Sequence, residues 1–261
     1  MGLAEQIGSV LRTFSYSAFH RTSAIILAGG SGQRMGSTAT KQFMTLCDMP
    51  VIVHSLLAFE KSEYIDEIII VAKQDEVDLY GPIIKKYGIN KVTAVVAGGE
   101  SRQASVACGI EAISPKSDFV AIHDGARPLI TTEQIKAVVI AAFQNKAATA
   151  AAPSKDTPKM VSKSRFIEES VEREKLWLMQ TPQIFNADVY RAALFNATTN
   201  GIEATDDSAL VKEAGFPVKI VDCGYENIKI TTPVDLKLAN IILRERQLEN
   251  AADGQSKEDT K

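Results

Sequence analysis

The pattern that most restricts this chain is a run of short strands, each apolar on both faces and each followed by a helix-like stretch. Ala24–Ala28, Glu67–Ala72, Val92–Ala97, Phe119–Ile122 and the small-residue run Ala147–Ala152 read as strands. Between them lie Pro50–Lys61, Glu76–Tyr87 (interrupted by Gly81-Pro82), Ser101–Ile113 and Thr131 to about Lys146, all with helical spacing of apolar residues. Strands that are apolar on both faces must be covered on both faces, so the pattern predicts an α/β fold. Its core is a Rossmann-like, mostly parallel twisted sheet with helices on both sides. In such sheets ligands sit beyond the carboxyl ends of the strands. Here those ends carry Gly29-Gly30, Gly98-Gly99 and His123-Asp124, so glycines and polar groups converge on one rim.

The first strand opens into Gly29-Gly30-Ser31-Gly32, followed by the cations Arg34 and Lys41. Glycines let backbone N–H groups approach an anion, and the cations neutralise it. A P-loop is excluded, because no Lys follows Gly36. The dinucleotide fingerprint fails at its third glycine, where Met35 stands. Its acid about 20 residues on would be Asp48, which precedes Pro50 in a loop-like stretch. A nicotinamide-binding dehydrogenase is therefore disfavoured. Basic residues beside a glycine turn suit a triphosphate, where positioning and charge stabilisation supply most of the rate. Asp124, at the end of a buried strand, can hold Mg²⁺ while the metal binds substrate phosphates, or can cap its loop through an Asx-type turn. Lys229, on a short stretch read as the strand Ile228–Ile230, either snorkels or faces an anion. Arg173 can grip a second phosphate bidentately.

Ser154–Glu174 is too long and polar for a βα connection and reads as a protruding hairpin or arm. Beyond it, Leu178–Phe185 reads as a strand, and Asn186 caps a helix to about Phe195. Thr205 opens another helix, ending at Gly215; Val218–Val221 is a strand; Thr232-Pro233 starts the last helix, to about Arg246. The boundaries expected are an N-terminal extension over residues 1–22, a catalytic domain over 23–248 with the arm at 154–175, and a disordered tail over 249–261. The extension has Arg12, Arg21 and several serines with Glu5 as its one acid, which suits a transit peptide or a loosely helical segment.

Composition removes several classes. The net charge of −3 suggests neither nucleic acid nor membrane as partner, and no apolar run approaches the roughly 18 residues of a membrane span. Cys47, Cys108 and Cys223 form no C-x-x-C pair, which fits a reducing cytoplasm and neither a disulfide framework nor a structural zinc site.

From about Ser23 to Gln247 the chain resembles the 2-C-methyl-D-erythritol 4-phosphate cytidylyltransferase family. The resemblance rests on LAGGSGQRMG…KQF (Leu27–Phe43), GGESRQASV (Gly98–Val106), HDGARP (His123–Pro128), Asp156-Thr157 and REKLW (Arg173–Trp177). It continues through QTPQIF (Gln180–Phe185), TDD (Thr205–Asp207) and NIKITTPVDL (Asn227–Leu236). It implies transfer of a cytidylyl group from CTP to methylerythritol phosphate, with Mg²⁺ and release of pyrophosphate. Arg34 and Lys41 match the family's transition-state-stabilising cations, and Arg173 and Lys229 its substrate-positioning residues. Asp124 matches the metal-binding aspartate. Ala28, Gly29, Gly30, Gly32, Gly99, Glu100 and Ser105 match the nucleotide site, and Thr157 and Thr181 the sugar-phosphate pocket. It also implies a homodimer in which the arm brings Thr157 and Arg173 to the neighbouring subunit. Thr40 stands where many relatives have Pro, so this loop is expected to be less rigid. Ribitol 5-phosphate cytidylyltransferases share the fold and are the nearest alternative.

Overall fold

The computed structural model describes residues 20–30 and 41–258, with the backbone alone for Lys41 and residues 250–258. The expected extension thus falls largely outside the described residues. The strands are β1 (Thr22–Leu27), β2 (Thr45–Leu46), β3 (Met49–Pro50), β4 (Glu67–Ala72), β5 (Val92–Ala97) and β6 (Phe119–Asp124). They continue with β7 (Ala147–Pro153), β8 (Lys159–Val161), β9 (Ile167–Ser170), β10 (Trp177–Asn186) and β11 (Lys219–Asp222). The helices are α1 (Val51–Lys61), α2 (Tyr80–Tyr87), α3 (Arg102–Ala112), α4 (Thr132–Asn145), α5 (Ala187–Asn200), α6 (Asp207–Glu213) and α7 (Pro233–Glu258).

Seven strands form one sheet in the order β11-β7-β10-β6-β1-β4-β5. All neighbours are parallel except β10, which runs antiparallel to both β6 and β7. The chain leaves β1 for β4 and β5 on one side, then crosses to β6 on the other. β1 and β6 therefore flank the switch point, and their register sets Leu27 opposite Asp124. This is where an open α/β sheet leaves a crevice.

The period-2 alternation of β1 explains the two-sided core. Ala24, Ile26 and Ala28 join Ile52, Leu56, Phe59, Ile135 and Val138, from α1 and α4, on one face. Ile25 joins Val106, Ile110, Val189, Tyr190 and Leu210, from α3, α5 and α6, on the other. A smaller cluster of Leu46, Val51, Leu129, Ile230 and Ala239 seats α7 near the β2–β3 hairpin. Thr131 caps α4 through the expected capping box with Gln134.

Several boundaries differ from the sequence expectation. The helix expected from Glu76 begins as a 3-10 turn, Gln74–Leu79, and becomes α-helical at Tyr80. Gly81-Pro82 then falls in the first turn, where a missing N–H costs nothing. α5 runs past Phe195 to Asn200, and Gly201 closes it at φ 63°. α6 is capped by Asp206, not Thr205. Ile228–Ile230 is not a strand: Ile230 N–H bonds the Ala126 carbonyl and the stretch joins no sheet. α7 continues to Glu258, where the tail was expected to be disordered. No Pro stops it, Ala251 and Ala252 favour helix, and the single Gly254 costs only about 1 kcal/mol.

Candidate active site

A cleft of about 300 Å³ opens at the switch point. Gly29 and Gly30 line it from the end of β1, Gly99, Glu100 and Ser105 from the β5–α3 turn and α3, and Asp124 from the end of β6. Gly125 lets the chain turn sharply behind Asp124. A Cβ there would run into Ile52 Cδ1 and stand 3.1 Å from the Leu27 carbonyl.

Asp124 is 8% exposed and faces three cations. Lys229 Nζ lies 2.8 Å from Oδ2, Arg127 Nε 3.7 Å from the same oxygen, and Arg102 Nε 3.7 Å from Oδ1. Burial alone would raise the Asp124 pKa. Lys229 first, then Arg102 and Arg127, reverse this and hold the carboxyl well below the usual range, so it is ionised at neutral pH.

The carboxylate is held from below. Asp124 N–H donates to Thr181 Oγ1 (3.0 Å), and that hydroxyl is 3.0 Å from His123 Nδ1. His123 Nε2 faces the Arg127 carbonyl at 3.3 Å, an acceptor, so Nε2 carries the proton and Nδ1 accepts from Thr181. Burial pushes the His123 pKa down to about 3, which keeps the ring neutral. It packs against Phe59 with ring centroids 4.9 Å apart. His123 therefore works as a hydrogen-bonding strut.

Lys229 reaches the cleft because its neighbours are fixed. Asn227, fully buried, donates through Nδ2 to Gln180 Oε1 (3.0 Å) and to the Thr181 carbonyl (2.8 Å). Ile230 is buried in the α7 cluster. The Lys229 side chain remains 39% exposed, enough to present its amine to a bound anion.

The structure gathers Gly29, Gly30, Gly99, Glu100, Ser105, Asp124 and Lys229 around one cleft. Ala28 is fully buried behind it, its N–H bonded to the Val71 carbonyl. Thr181, expected at the sugar phosphate, is 4% exposed and spends its hydroxyl under Asp124. Thr157 and Arg173 lie exposed on the arm and do not line the cleft. Gly32 and Arg34 lie outside the described residues, as does the Lys41 side chain. Sequence reasoning missed Arg102, Arg127 and Asp207 as site residues, although each falls within a quoted motif.

Among the described residues no three His, Cys, Asp or Glu side chains cluster as a metal-ligand set. Asp124 is the buried carboxylate that lines the cleft, with Oδ1 no closer than 3.7 Å to its Arg102 partner. One such oxygen beside an anion-sized cleft fits Mg²⁺, which is held by one or two carboxylates plus substrate phosphates and water. It does not fit a metal that needs a full protein cage.

The family model described as 2-C-methyl-D-erythritol 4-phosphate cytidylyltransferase matches residues 22–245. Curated relatives of that name include one from Pelotomaculum thermopropionicum, 43% identical over 87% of this chain and 96% of its own. Another, from Alkaliphilus metalliredigens, is 42% identical over 87% and 95%. The crystal structure of a 4-diphosphocytidyl-2C-methyl-D-erythritol synthase from Anaerococcus prevotii superposes with TM-score 0.77 at 32% identity, over 86% of this chain and 99% of that one. A 2-C-methyl-D-erythritol 4-phosphate cytidylyltransferase from Thermus thermophilus does so with TM-score 0.70 at 30% identity, over 86% and 99%.

Proposed function

The chain belongs to the 2-C-methyl-D-erythritol 4-phosphate cytidylyltransferase family, and on that premise we propose that it makes 4-diphosphocytidyl-2-C-methyl-D-erythritol from CTP and methylerythritol phosphate. The observation that carries this reading is the Lys229–Asp124 pair at 2.8 Å, set at the mouth of a glycine-lined cleft at the sheet's switch point.

In this reading the cytidine and triphosphate lie against Gly29, Gly30, Gly99, Glu100 and Ser105, with Ala28 buried behind them and Gly32 assigned to the same site by family resemblance. A phosphate oxygen of the alcohol attacks the α-phosphorus of CTP. The new P–O bond forms as the bond to the bridging oxygen breaks, and pyrophosphate leaves with that electron pair. The nucleophile is already ionised, so no general base is needed, which agrees with a neutral, buried His123. Arg34 and Lys41 meet charge that grows on the phosphates in the transition state, and Lys229 positions the attacking phosphate. Asp124 would hold Mg²⁺, which supplies charge neutralisation to the triphosphate.

The exposed arm favours a shared site. β8 and β9 form an isolated hairpin with Met160, Val161, Phe166 and Ile167 each more than half exposed. Covering these apolar side chains with a second copy would stabilise a homodimer and carry Thr157 and Arg173 to the partner's substrate. No helix among the described residues is long and apolar enough to cross a membrane. We assign the enzyme to the cytoplasm, with neither nucleic acid nor membrane as partner.

Pyrophosphate release from CTP–Mg²⁺ with each purified polyol phosphate tests the reading. Turnover with methylerythritol phosphate is expected; a clear preference for ribitol 5-phosphate, or stabilisation by NAD in place of CTP–Mg²⁺ in a melt, would overturn it.

A further inference from the structure

Two arginines approach Asp124, and neither closes on it. A carboxylate and a free guanidinium normally collapse to N–O distances of about 2.7–2.9 Å, often bidentately. Here both stop at 3.7 Å and present only Nε. Each is tied from behind. Arg127 donates through Nη1 to the Asn227 carbonyl (2.7 Å) and through Nη2 to the Met179 carbonyl (3.4 Å). Arg102 Nη2 lies 2.7 Å from Asp207 Oδ2.

The two tethers differ in kind. Those of Arg127 are neutral carbonyls on the β10 and Asn227 segments. That of Arg102 is a second carboxylate, only 3% exposed, whose other oxygen accepts the Tyr190 hydroxyl at 2.7 Å. Tyr190 is a fully buried residue of α5, stacked on Phe185 at 5.3 Å. Arg102 is thus leashed to the hydrophobic core. The neighbouring Asp206 caps α6, accepting from Ala209 N–H at 2.8 Å, so the cap does not depend on Asp207. A buried ion pair is a poor way to gain stability, because desolvation offsets most of the attraction. Asn at this position would keep the Tyr190 bond but turn an N–H toward Arg102 Nη2, so the second carboxylate oxygen serves Arg102 alone.

We propose that Asp207 is a positioning residue of the transfer site: by holding Arg102 back, it keeps Oδ1 of Asp124 open to the divalent ion. Without the leash, Arg102 moves the short distance to Oδ1, and ion and guanidinium compete for one oxygen. Arg102 then contributes a field that keeps Asp124 charged without occupying it. The inference rests on the cytidylyltransferase reading for the presence of the ion.

The test is Mn²⁺ titration of the full-length protein by EPR, with and without α,β-methylene CTP, a nucleotide that cannot transfer. Asp207→Asn should raise the half-saturating Mn²⁺ concentration about tenfold, the usual scale for losing a group that orients a metal ligand. Adding Arg102→Gln to that variant should return Mn²⁺ binding to the wild-type level or tighter, because the competitor is gone. A merely structural Asp207 would leave the double variant as weak as the single one. Wild-type Mn²⁺ affinity in folded Asp207→Asn, or no recovery in the double variant, would overturn the proposal. Should Asp207→Asn not fold, Arg102→Gln alone decides: binding at least as tight as wild type supports the leash, and tenfold weaker binding removes it. Turnover of CTP with methylerythritol phosphate by the wild-type protein is measured alongside. Its absence would refute the function while leaving the Mn²⁺ comparison to stand.

Discussion

The neutral histidine beneath the reaction centre makes stability depend on pH in a predictable direction. His123 is fully buried, and burial depresses its pKa from about 6.5 in the unfolded chain to about 3 in the fold. A depressed folded pKa means that the native ring stays neutral while the unfolded ring takes up a proton. Its contribution is complete above about pH 6.5 and is lost as pH falls toward 3. Each pH unit inside that window costs up to about 1.4 kcal/mol for one proton. Between pH 7.5 and 4.5 the loss from His123 is about 3 kcal/mol. That is equivalent to roughly 1 M in the urea midpoint for an m-value near the top of the range for small domains. Asp124, also depressed, acts only below the ordinary carboxylate range and leaves this interval untouched. His54 is depressed as well, by burial, so the wild-type curve alone does not isolate the effect. Urea unfolding of wild type and His123→Asn across pH 7.5 to 4.5 does. The variant is less stable at pH 7.5, because Thr181 and the Arg127 carbonyl lose their partner, and the gap between the two proteins narrows by about 3 kcal/mol on acidification. A gap constant to within a few tenths of a kcal/mol would refute the neutral strut.

Other outcomes follow from the same geometry. Asn227→Ala leaves the Gln180 and Thr181 oxygens without their donor and should cost about 1–3 kcal/mol in the urea midpoint; turnover should fall with it, and unchanged kcat would detach Asn227 from the placement of Lys229. Gly125→Ala should destabilise by about 1–3 kcal/mol through its clash with Ile52, read by thermal melting. Lys41→Ala should lower kcat much more than it weakens CTP binding, as for charge met mainly in the transition state; an unchanged kcat removes Lys41 from the mechanism. Mixing Arg173→Ala with Lys41→Ala protein should restore activity through hybrid dimers, and none after verified subunit exchange would count against a site shared between subunits.

The central sheet was legible because Ala24–Leu27, Ile68–Ala72 and Phe119–Ile122 are continuously apolar, so that no other burial is open to them. The hairpin at Thr45–Pro50 was not: two-residue strands carry no periodicity. Nor was the reversed direction of β10, since a strand buried on both faces looks the same read either way. Asp124 and Lys229 were found because a charge on a short apolar run is conspicuous. Arg102 and Arg127 were not, because a cation at a loop or a helix start resembles any solvated surface residue until its partners are seen. Asp207 hid behind Asp206, since acids at a helix start are ordinarily read as capping. Thr181 was assigned to substrate on family pattern. The fold shows its hydroxyl already engaged, which no one-dimensional signal reveals.

β10 leaves the arm directly after the turn at Arg173–Lys175 and, within one strand, passes Thr181 under Asp124. In the proposed dimer, grip on the hairpin and placement of the Asp124 carboxylate are thus linked through one strand, which carries a register shift between Met179 and Gln183. In that dimer a substitution at the tip that loosens association should register as poor turnover even where every group touching the nucleotide is intact. Inhibitors need not enter the nucleotide cleft at all if they pry at the hairpin.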